Sequence, residues 1–175
     1  MKRYTFKVLL LGAPTVGKTS IVYRYVKNQF SHNYITTMGI NYLTKEITLE
    51  AKQIAKLVIL DIAGQEKFKF LRKEFYEGAN GALLIYDLTQ FKTFEAIEGW
   101  ISEMVEILQK NIPFIIIGNK VDLVEEFSCS IDKNIAKDYA KKKNSVYVET
   151  SAKTGKNIQE VFKELTYRMI KRVSK

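Results

Sequence analysis

The chain has 175 residues, 46% apolar and 27% charged, which suits one domain whose core needs neither disulfide nor metal to hold it. The single cysteine, Cys129, excludes an internal disulfide and makes a reducing cytoplasm the expected compartment, and no apolar run approaches the roughly 18 residues that cross a bilayer. A net charge of +9 suits a polyphosphate, an acidic partner or an anionic membrane surface, whereas the lysines are not interleaved with the stacking aromatics that nucleic-acid binding would need.

The first apolar run, residues 6–11, follows Met1-Lys2-Arg3 in the manner of a secretory leader, but it is short, Lys7 interrupts its approach and no cleavage site follows. It reads as a buried strand. Gly12-Ala13-Pro14-Thr15-Val16-Gly17-Lys18-Thr19 then matches G-x-x-x-x-G-K-S/T in full, and the periodic apolar residues Ile21, Val22, Tyr25 and Val26 follow as a helix. Glycines let the backbone curl so that successive N–H groups face phosphate oxygens, and the helix N-terminus adds partial positive charge. Lys18 reaches the β- and γ-phosphates and the Thr19 hydroxyl ligates Mg²⁺. The motif alone chooses neither ATP nor GTP.

Residues 42–49 and 54–60 alternate loosely about Glu50-Ala51-Lys52-Gln53, the pattern of an antiparallel hairpin. Its second strand ends in Asp61-Ile62-Ala63-Gly64-Gln65. Asp61 is placed to hold Mg²⁺ through a water, Gly64 to offer its N–H to a γ-phosphate, and Gln65 to orient an attacking water, although Gln65 alone also reads as an ordinary turn residue.

Apolar runs at 82–86, 114–117 and 146–148 complete a set of strands buried on both faces. Between them, Ile97, Ile101, Met104, Val105 and Leu108 mark a helix face with Trp100 beside them. Ile158, Val161, Phe162, Leu165 and Met169 mark another, with Asn157 as its N-cap and Glu160 three residues on. Alternating strands and helices predict an α/β fold with a mostly parallel sheet.

Asn119-Lys120-Val121-Asp122 directly follows the 114–117 strand, at the carboxyl edge where such sheets bind ligands. A carboxylate at Asp122 accepts from guanine N1–H and the 2-amino group, and it would meet an acceptor on adenine, a mismatch that discriminates strongly. The Lys120 stem lies over the base plane and Asn119 ties this loop to the phosphate loop. Glu149-Thr150-Ser151-Ala152-Lys153 supplies a third wall, with the Ala152 N–H placed for guanine O6.

These elements, in this order, resemble the Ras superfamily of small GTPases and most closely its Rab branch, over nearly the whole chain. The Rab-like stretches are Thr37-Met38-Gly39-Ile40-Asn41-Tyr42, Asp61 to Phe68, Tyr86-Asp87-Leu88-Thr89, and Gly118 to Leu123. The resemblance implies a three-layer P-loop NTPase G domain spanning residues 1–175, with a six-stranded mostly parallel sheet, one antiparallel edge strand and about five helices. It implies GTP or GDP with Mg²⁺ as ligands, contacted by Pro14, Thr15, Val16, Gly17, Lys18, Thr19, Ser20, Phe30, Tyr34, Thr37, Gly64, Asn119, Lys120, Asp122, Ser151, Ala152 and Lys153. Thr19, Thr37 and Asp61 hold the metal, Thr37 only when a γ-phosphate is present. Phe30 stacks edge-on against the base and Tyr34 closes over the phosphates; His32 receives no role. Gln65 and Lys18 are the catalytic residues.

By the same resemblance, residues 30–42 and 64–78 order with GTP and relax with GDP, and they receive exchange factor, GTPase-activating protein (GAP) and effectors. With no arginine in the phosphate loop or in residues 30–42, intrinsic hydrolysis is expected to be slow and accelerated by a partner's arginine. Three departures qualify this. Pro14 removes an N–H donor from the phosphate loop, which leaves open a GTP-dependent binding module with little hydrolysis. Leu60 and Tyr42 replace the usual tryptophan and phenylalanine of the Rab effector surface. The 175 residues carry no C-terminal prenylation cysteine: either the sequence stops short of a lipidated tail, or the protein works without a lipid, in which case contact with an anionic membrane would fall to Lys133, Lys137, Lys141, Lys142, Lys143, Arg168, Lys171, Arg172 and Lys175.

Overall fold

Six strands make one sheet in the order β2-β3-β1-β4-β5-β6. They are β1 (Lys2–Leu11), β2 (Ile40–Leu49), β3 (Gln53–Ile62), β4 (Gly81–Asp87), β5 (Phe114–Asn119) and β6 (Val146–Glu149). The computed structural model describes residues 2–32, 37–50, 53–128 and 131–174. β1, β3, β4, β5 and β6 run parallel, and β2 alone pairs antiparallel, on the edge against β3. The expected hairpin is present, with Leu49 opposite Gln53.

The sequence pattern tracks the neighbours of each strand. β4 lies between two strands and is buried at all seven positions, as its unbroken apolar run requires. β1 is longer than its apolar run because only its second half is flanked on both sides. β4 joins it at Val8 opposite Gly81, while residues 2 to 7 pair with β3 alone and keep Lys2, Arg3 and Thr5 exposed.

Helices cover both faces, giving three layers. They are α1 (Lys18–Lys27), α2 (Lys69–Tyr76), α3 (Phe91–Glu95), α4 (Ile97–Leu108), α5 (Val124–Phe127), α6 (Lys133–Lys142) and α7 (Ile158–Val173). Five of these described helices have eight residues or more, the expected number, and α3 and α5 are short additions. Val8, Leu10, Leu57 and Ile85 meet α1 and α7 on one face; Leu9, Leu11, Leu84 and Ile116 meet α2, α4 and α6 on the other. On the first face Tyr25 of α1 stacks on Phe162 of α7 at 3.8 Å between ring centroids. Truncating such a fully buried ring to alanine costs about 3–5 kcal/mol.

Two local expectations are corrected. Asn157 does precede α7, but its side chain makes no cap bond. It turns back to donate from Nδ2 to the Glu149 carbonyl at 2.7 Å, because closing the loop after β6 places that orphan carbonyl within reach. The residue that does cap a helix with its side chain is Asp132, which accepts from the Asn134 N–H at 2.7 Å. Leu60, expected on a partner surface, is wholly buried beneath the α2 side of the sheet, since β3 is an interior strand.

Candidate functional site

The carboxyl ends of β1, β3 and β5, with the loop after β6, open on one cavity of about 1040 Å³. Of the residues expected to contact ligand, Pro14, Thr15, Gly17, Lys18, Thr19, Ser20, Phe30, Thr37, Asp61, Gly64, Gln65, Asn119, Lys120, Asp122, Ala152 and Lys153 line it. Two do not. Val16 is fully buried in the core and presents its carbonyl to Asn119, and Ser151 is buried behind Asp122. Tyr34 lies outside the described residues. So does Cys129.

The loop after β1 curls through three left-handed residues, Gly12 at φ 147°, Thr15 at 68° and Gly17 at 99°. Thr15 shows that the bend is not carried by glycine alone; Pro14 sits exposed just before it. Torsion and close approach both call for the two glycines. A Cβ at Gly12 would strike the Ile85 carbonyl oxygen, and one at Gly17 would strike Asn119 Nδ2. A Cβ at Gly64 would likewise strike the Gly12 oxygen and come within 2.8 Å of the Lys18 ammonium.

Lys18 is buried, and its Nζ donates to the Gly12 and Ala13 carbonyls at 2.8 Å each. Burial lowers its pKa to about 8, partly opposed by the nearby Asp61 carboxylate. It is therefore a desolvated cation lying against carbonyl oxygens at the floor of the loop.

Beside it, Thr19 Oγ1 donates to Asp61 Oδ2 at 2.5 Å and lies 2.7 Å from the Thr37 hydroxyl. Asp61 is fully buried, and burial pushes its carboxyl upward against the opposing Thr19 hydrogen bond and the Lys18 charge. Its second oxygen, Oδ1, is buried with no partner among the described residues. An unpartnered buried carboxylate oxygen is costly. Three converging oxygen side chains with such an orphan fit a hard divalent cation such as Mg²⁺.

At the far end Asn119 Nδ2 donates to the Val16 carbonyl at 2.9 Å, and its Oδ1 accepts from Thr150 Oγ1 at 2.9 Å. One side chain thus joins the β5 loop, the phosphate loop and the loop after β6. Ser151 Oγ donates to Asp122 Oδ1 at 2.5 Å, which steadies the carboxylate at the cavity wall. Lys120, left-handed at φ 70°, pairs with the buried Asp87 at 2.7 Å. Phe30 lies 5.1 Å from His32 in an edge arrangement at the cavity rim.

Sequence reasoning missed two supporting residues. Asp87 closes a fully apolar strand and is anchored by the Thr89 hydroxyl at 2.7 Å; an acidic residue ending such a run was the available signal. Arg24 of α1 donates to the Ala152 and Lys153 carbonyls at 2.8 and 2.6 Å. Its partners lie 128 and 129 residues away, and no local pattern marks it.

A sequence profile of the Ras family matches residues 7–171. The chain is 42% identical over 169 residues to Ras-related protein Rab-21 of Bos taurus, covering 97% of this chain and 75% of that one. It is 37% identical over 172 residues to Ras-related protein RABA1h of Arabidopsis thaliana, covering 98% and 78%. Ras-related protein RabJ of Dictyostelium discoideum is 40% identical over 164 residues, covering 94% and 63%.

Proposed function

The chain belongs to the Ras family and is a Rab-like small GTPase, and from that premise we propose how its own residues bind and hydrolyse GTP. Members of this family bind guanine nucleotides with Mg²⁺. The reading of individual roles is carried by one observation: Thr19, Thr37 and Asp61 converge, with the Asp61 Oδ1 orphaned, beside Lys18 in a loop of nucleotide-binding sequence.

The backbone from Pro14 to Ser20 and the Lys18 ammonium take the phosphates. Thr19, Thr37 and Asp61 hold Mg²⁺. When bound, that ion neutralises charge on the β- and γ-phosphates. Asp122 accepts from guanine N1–H and the 2-amino group, the Ala152 N–H meets O6, the Lys120 stem and Phe30 flank the base, and Ser151 and Asn119 steady the two loops. Lys153 completes the third wall. Gly64 offers its N–H to the γ-phosphate. Gln65 orients the water that attacks the γ-phosphorus in line; the bond to the β–γ bridging oxygen breaks, and GDP and phosphate leave. Lys18 stabilises the charge that gathers on the bridging oxygen.

The alternative of a module that barely hydrolyses has no support among these Rab relatives, even with Pro14 in the loop. With no arginine in the phosphate loop, the intrinsic rate is slow, and a GAP arginine adds on the order of 10³–10⁵ in turnover, the magnitude known for Ras-type GTPases. We place regulators and effectors on residues 30–42 and 64–78, where Met38, Tyr42 and Phe70 are exposed apolar side chains. Residues 1–175 form one G domain in this reading.

We propose a cytoplasmic location with contact at a membrane surface, in keeping with the Rab-like sequence. Among the described residues no helix is long and apolar enough to cross a membrane. The basic set available for an anionic surface is smaller than the sequence count. Lys133, Lys143 and Arg168 are paired with Glu149, Glu98 and Glu164, and Lys175 lies outside the described residues.

The test is single-turnover hydrolysis of Mg·GTP by the purified chain and by Gln65→Leu. GDP forms slowly in the wild type, and the variant slows it at least tenfold with GTP affinity nearly unchanged. No GDP over many hours, with or without activators, overturns the hydrolytic reading; lost affinity in the variant overturns the role given to Gln65.

A further inference from the structure

Arg24 presents three nitrogens and all three are used. Nε donates to the Ala152 carbonyl at 2.8 Å and Nη2 to the Lys153 carbonyl at 2.6 Å, while Nη1 reaches the Asn28 carbonyl at 3.4 Å and its side-chain oxygen at 3.2 Å. Asn28 is the left-handed residue that ends α1, with its N–H returned to the Arg24 carbonyl at 3.1 Å. The guanidinium is therefore held at the helix end by the backbone it helps to close, and it projects its fork across to the loop after β6.

That loop has separate anchors for its two halves. Residues 149–151 are tied to the rest of the site without Arg24, through Asn157 to the Glu149 carbonyl, Thr150 to Asn119 and Ser151 to Asp122. Inside the loop, Gly155 donates to the Ser151 carbonyl at 2.8 Å and Thr154 to Ser151 Oγ at 3.0 Å. The Arg24 fork fixes the next two peptide planes, those carrying the Ala152 and Lys153 carbonyls; the Ala152 N–H lies in the plane before them, with the Ser151 carbonyl, and meets the first of them at the Ala152 Cα. Charge-assisted bonds from a rigid planar fork restrict both planes at once, which a lysine's single ammonium does not reproduce.

We propose that Arg24 is a positioning residue for base recognition: by fixing the Ala152 carbonyl it holds the Ala152 Cα, and with it the end of the preceding peptide plane, whose N–H is presented at the height of guanine O6. This rests on the reading above that Ala152 meets O6. The consequence is selective. Losing Arg24 weakens the O6 contact, whereas the Asp122 contact to N1–H and the 2-amino group has its own support from Ser151 and persists.

The test compares dissociation constants, in excess Mg²⁺, for GDP, 6-thio-GDP and IDP with wild type, Arg24→Ala and Arg24→Lys. The thio analogue replaces O6 with sulfur, a weak acceptor, and IDP lacks only the 2-amino group. Alanine is the best helix former at this half-exposed position, so α1 is retained; Arg24→Lys keeps the charge and the stem as a second variant.

Arg24→Ala is expected to bind GDP about tenfold more weakly, the loss of about one hydrogen bond to the base, and to lose most of the preference for GDP over 6-thio-GDP. Its preference for GDP over IDP stays at the wild-type value, and Arg24→Lys lowers the thio ratio by a smaller factor. A wild-type thio ratio in both variants overturns the proposal, as does an equal fall of both ratios, which would mean general loosening. If the wild type itself shows no preference for GDP over 6-thio-GDP, the O6 role of Ala152 fails and takes the proposal with it.

Discussion

Arg72 and Glu103 form a two-pronged ion pair between α2 and α4, with Nε–Oε1 at 2.7 Å and Nη2–Oε2 at 2.9 Å. The guanidinium is 1% exposed and lies over the Trp100 ring at 4.6 Å, and Tyr76 donates its hydroxyl to the same Glu103 oxygen at 2.9 Å. One carboxylate thus satisfies two buried donors on the segment that begins just past Gln65, whose carbonyl lies 3.5 Å from Arg72 Nη1. A helix expected to carry partners is fastened to the core by its inner face, which leaves Phe70 on its outer face 76% exposed.

Breaking the pair from one side is costly because the other charge remains buried. Glu103→Ala is expected to destabilise the protein by about 3–5 kcal/mol in urea unfolding. Replacing both partners with apolar residues, Arg72→Met with Glu103→Leu, recovers most of that loss, since no charge is then left buried. Single variants within 1 kcal/mol of wild type would show that water reaches the pair.

Gly64 has no room for a side chain. A Cβ there would lie 2.8 Å from both the Ala13 carbonyl carbon and Lys18 Nζ, and closer still to the Gly12 oxygen. Gly64→Ala therefore forces the loop after β3 away from the phosphate loop. GDP affinity should change by less than threefold, whereas single-turnover GTP hydrolysis should fall by at least tenfold, about 1.4 kcal/mol in the barrier. Wild-type hydrolysis in the variant would remove Gly64 from the γ-phosphate contact.

A pH dependence follows from the pairing of α4 with α6. Lys143 and then Tyr139, bonded to Glu98 at 2.8 and 2.5 Å, hold the Glu98 carboxyl below its ordinary range. A depressed folded-state pKa favours the ionised form, so its stabilisation is present above the unfolded value, near about 4.3, and lost as pH falls through the folded value. The urea midpoint of the wild type should drop more steeply below about pH 4 than that of Glu98→Gln. The effect is modest because Glu98 is half exposed; parallel acid limbs would assign the slope to other carboxylates.

The parts of this fold that sequence reveals are those whose causes are local. β4 and β5 are buried on both faces and read as unbroken apolar runs, and the phosphate loop carries its geometry in its glycines. β2 and the first half of β1 are half exposed, so their polar residues blur the strand signal although their pairing is regular. Leu60 reads as a surface substitution until the sheet order makes β3 interior. Asn157 fits a capping pattern, yet a carbonyl eight residues earlier claims its side chain. Arg24 and Asp87 support the site through partners brought together only by the fold, and such contacts leave no periodicity behind. Val16 and Ser151 matched the motif, and their side chains are buried, one in the core and one against Asp122, rather than lining the cavity.

In the proposed reading, base choice rests on one carboxylate. Asp122 has Oδ1 engaged by Ser151 and stands at the cavity wall with the other oxygen. Asp122→Asn replaces an acceptor with a donor, so the preference should pass from guanine to xanthine nucleotides, whose 2-oxo group accepts. Competition between labelled GDP and XDP measures it, with a shift of at least a hundredfold in the ratio expected from an unpaired polar group on the rejected base. An unchanged ratio would place base reading elsewhere.

The orphaned Asp61 oxygen makes the last prediction quantitative. A buried carboxylate with one unpartnered oxygen is poorly solvated when no cation is present, and Thr19, already bonded to its other oxygen, cannot also reach it. Cation binding relieves that cost, so metal and nucleotide should be coupled through this residue. Chelating Mg²⁺ with EDTA is expected to speed GDP release from the wild type by at least tenfold, followed by a fluorescent GDP analogue. Asp61→Ala removes the carboxylate and its cost together: its GDP release in Mg²⁺ should already be fast, and EDTA should change it by less than twofold. Thr37→Ala provides the contrast. If Thr37 meets the metal only with a γ-phosphate present, that variant leaves the EDTA effect on GDP release at the wild-type size and weakens the Mg²⁺ dependence of GTP binding alone. A large EDTA effect that survives in Asp61→Ala would move the metal away from this carboxylate.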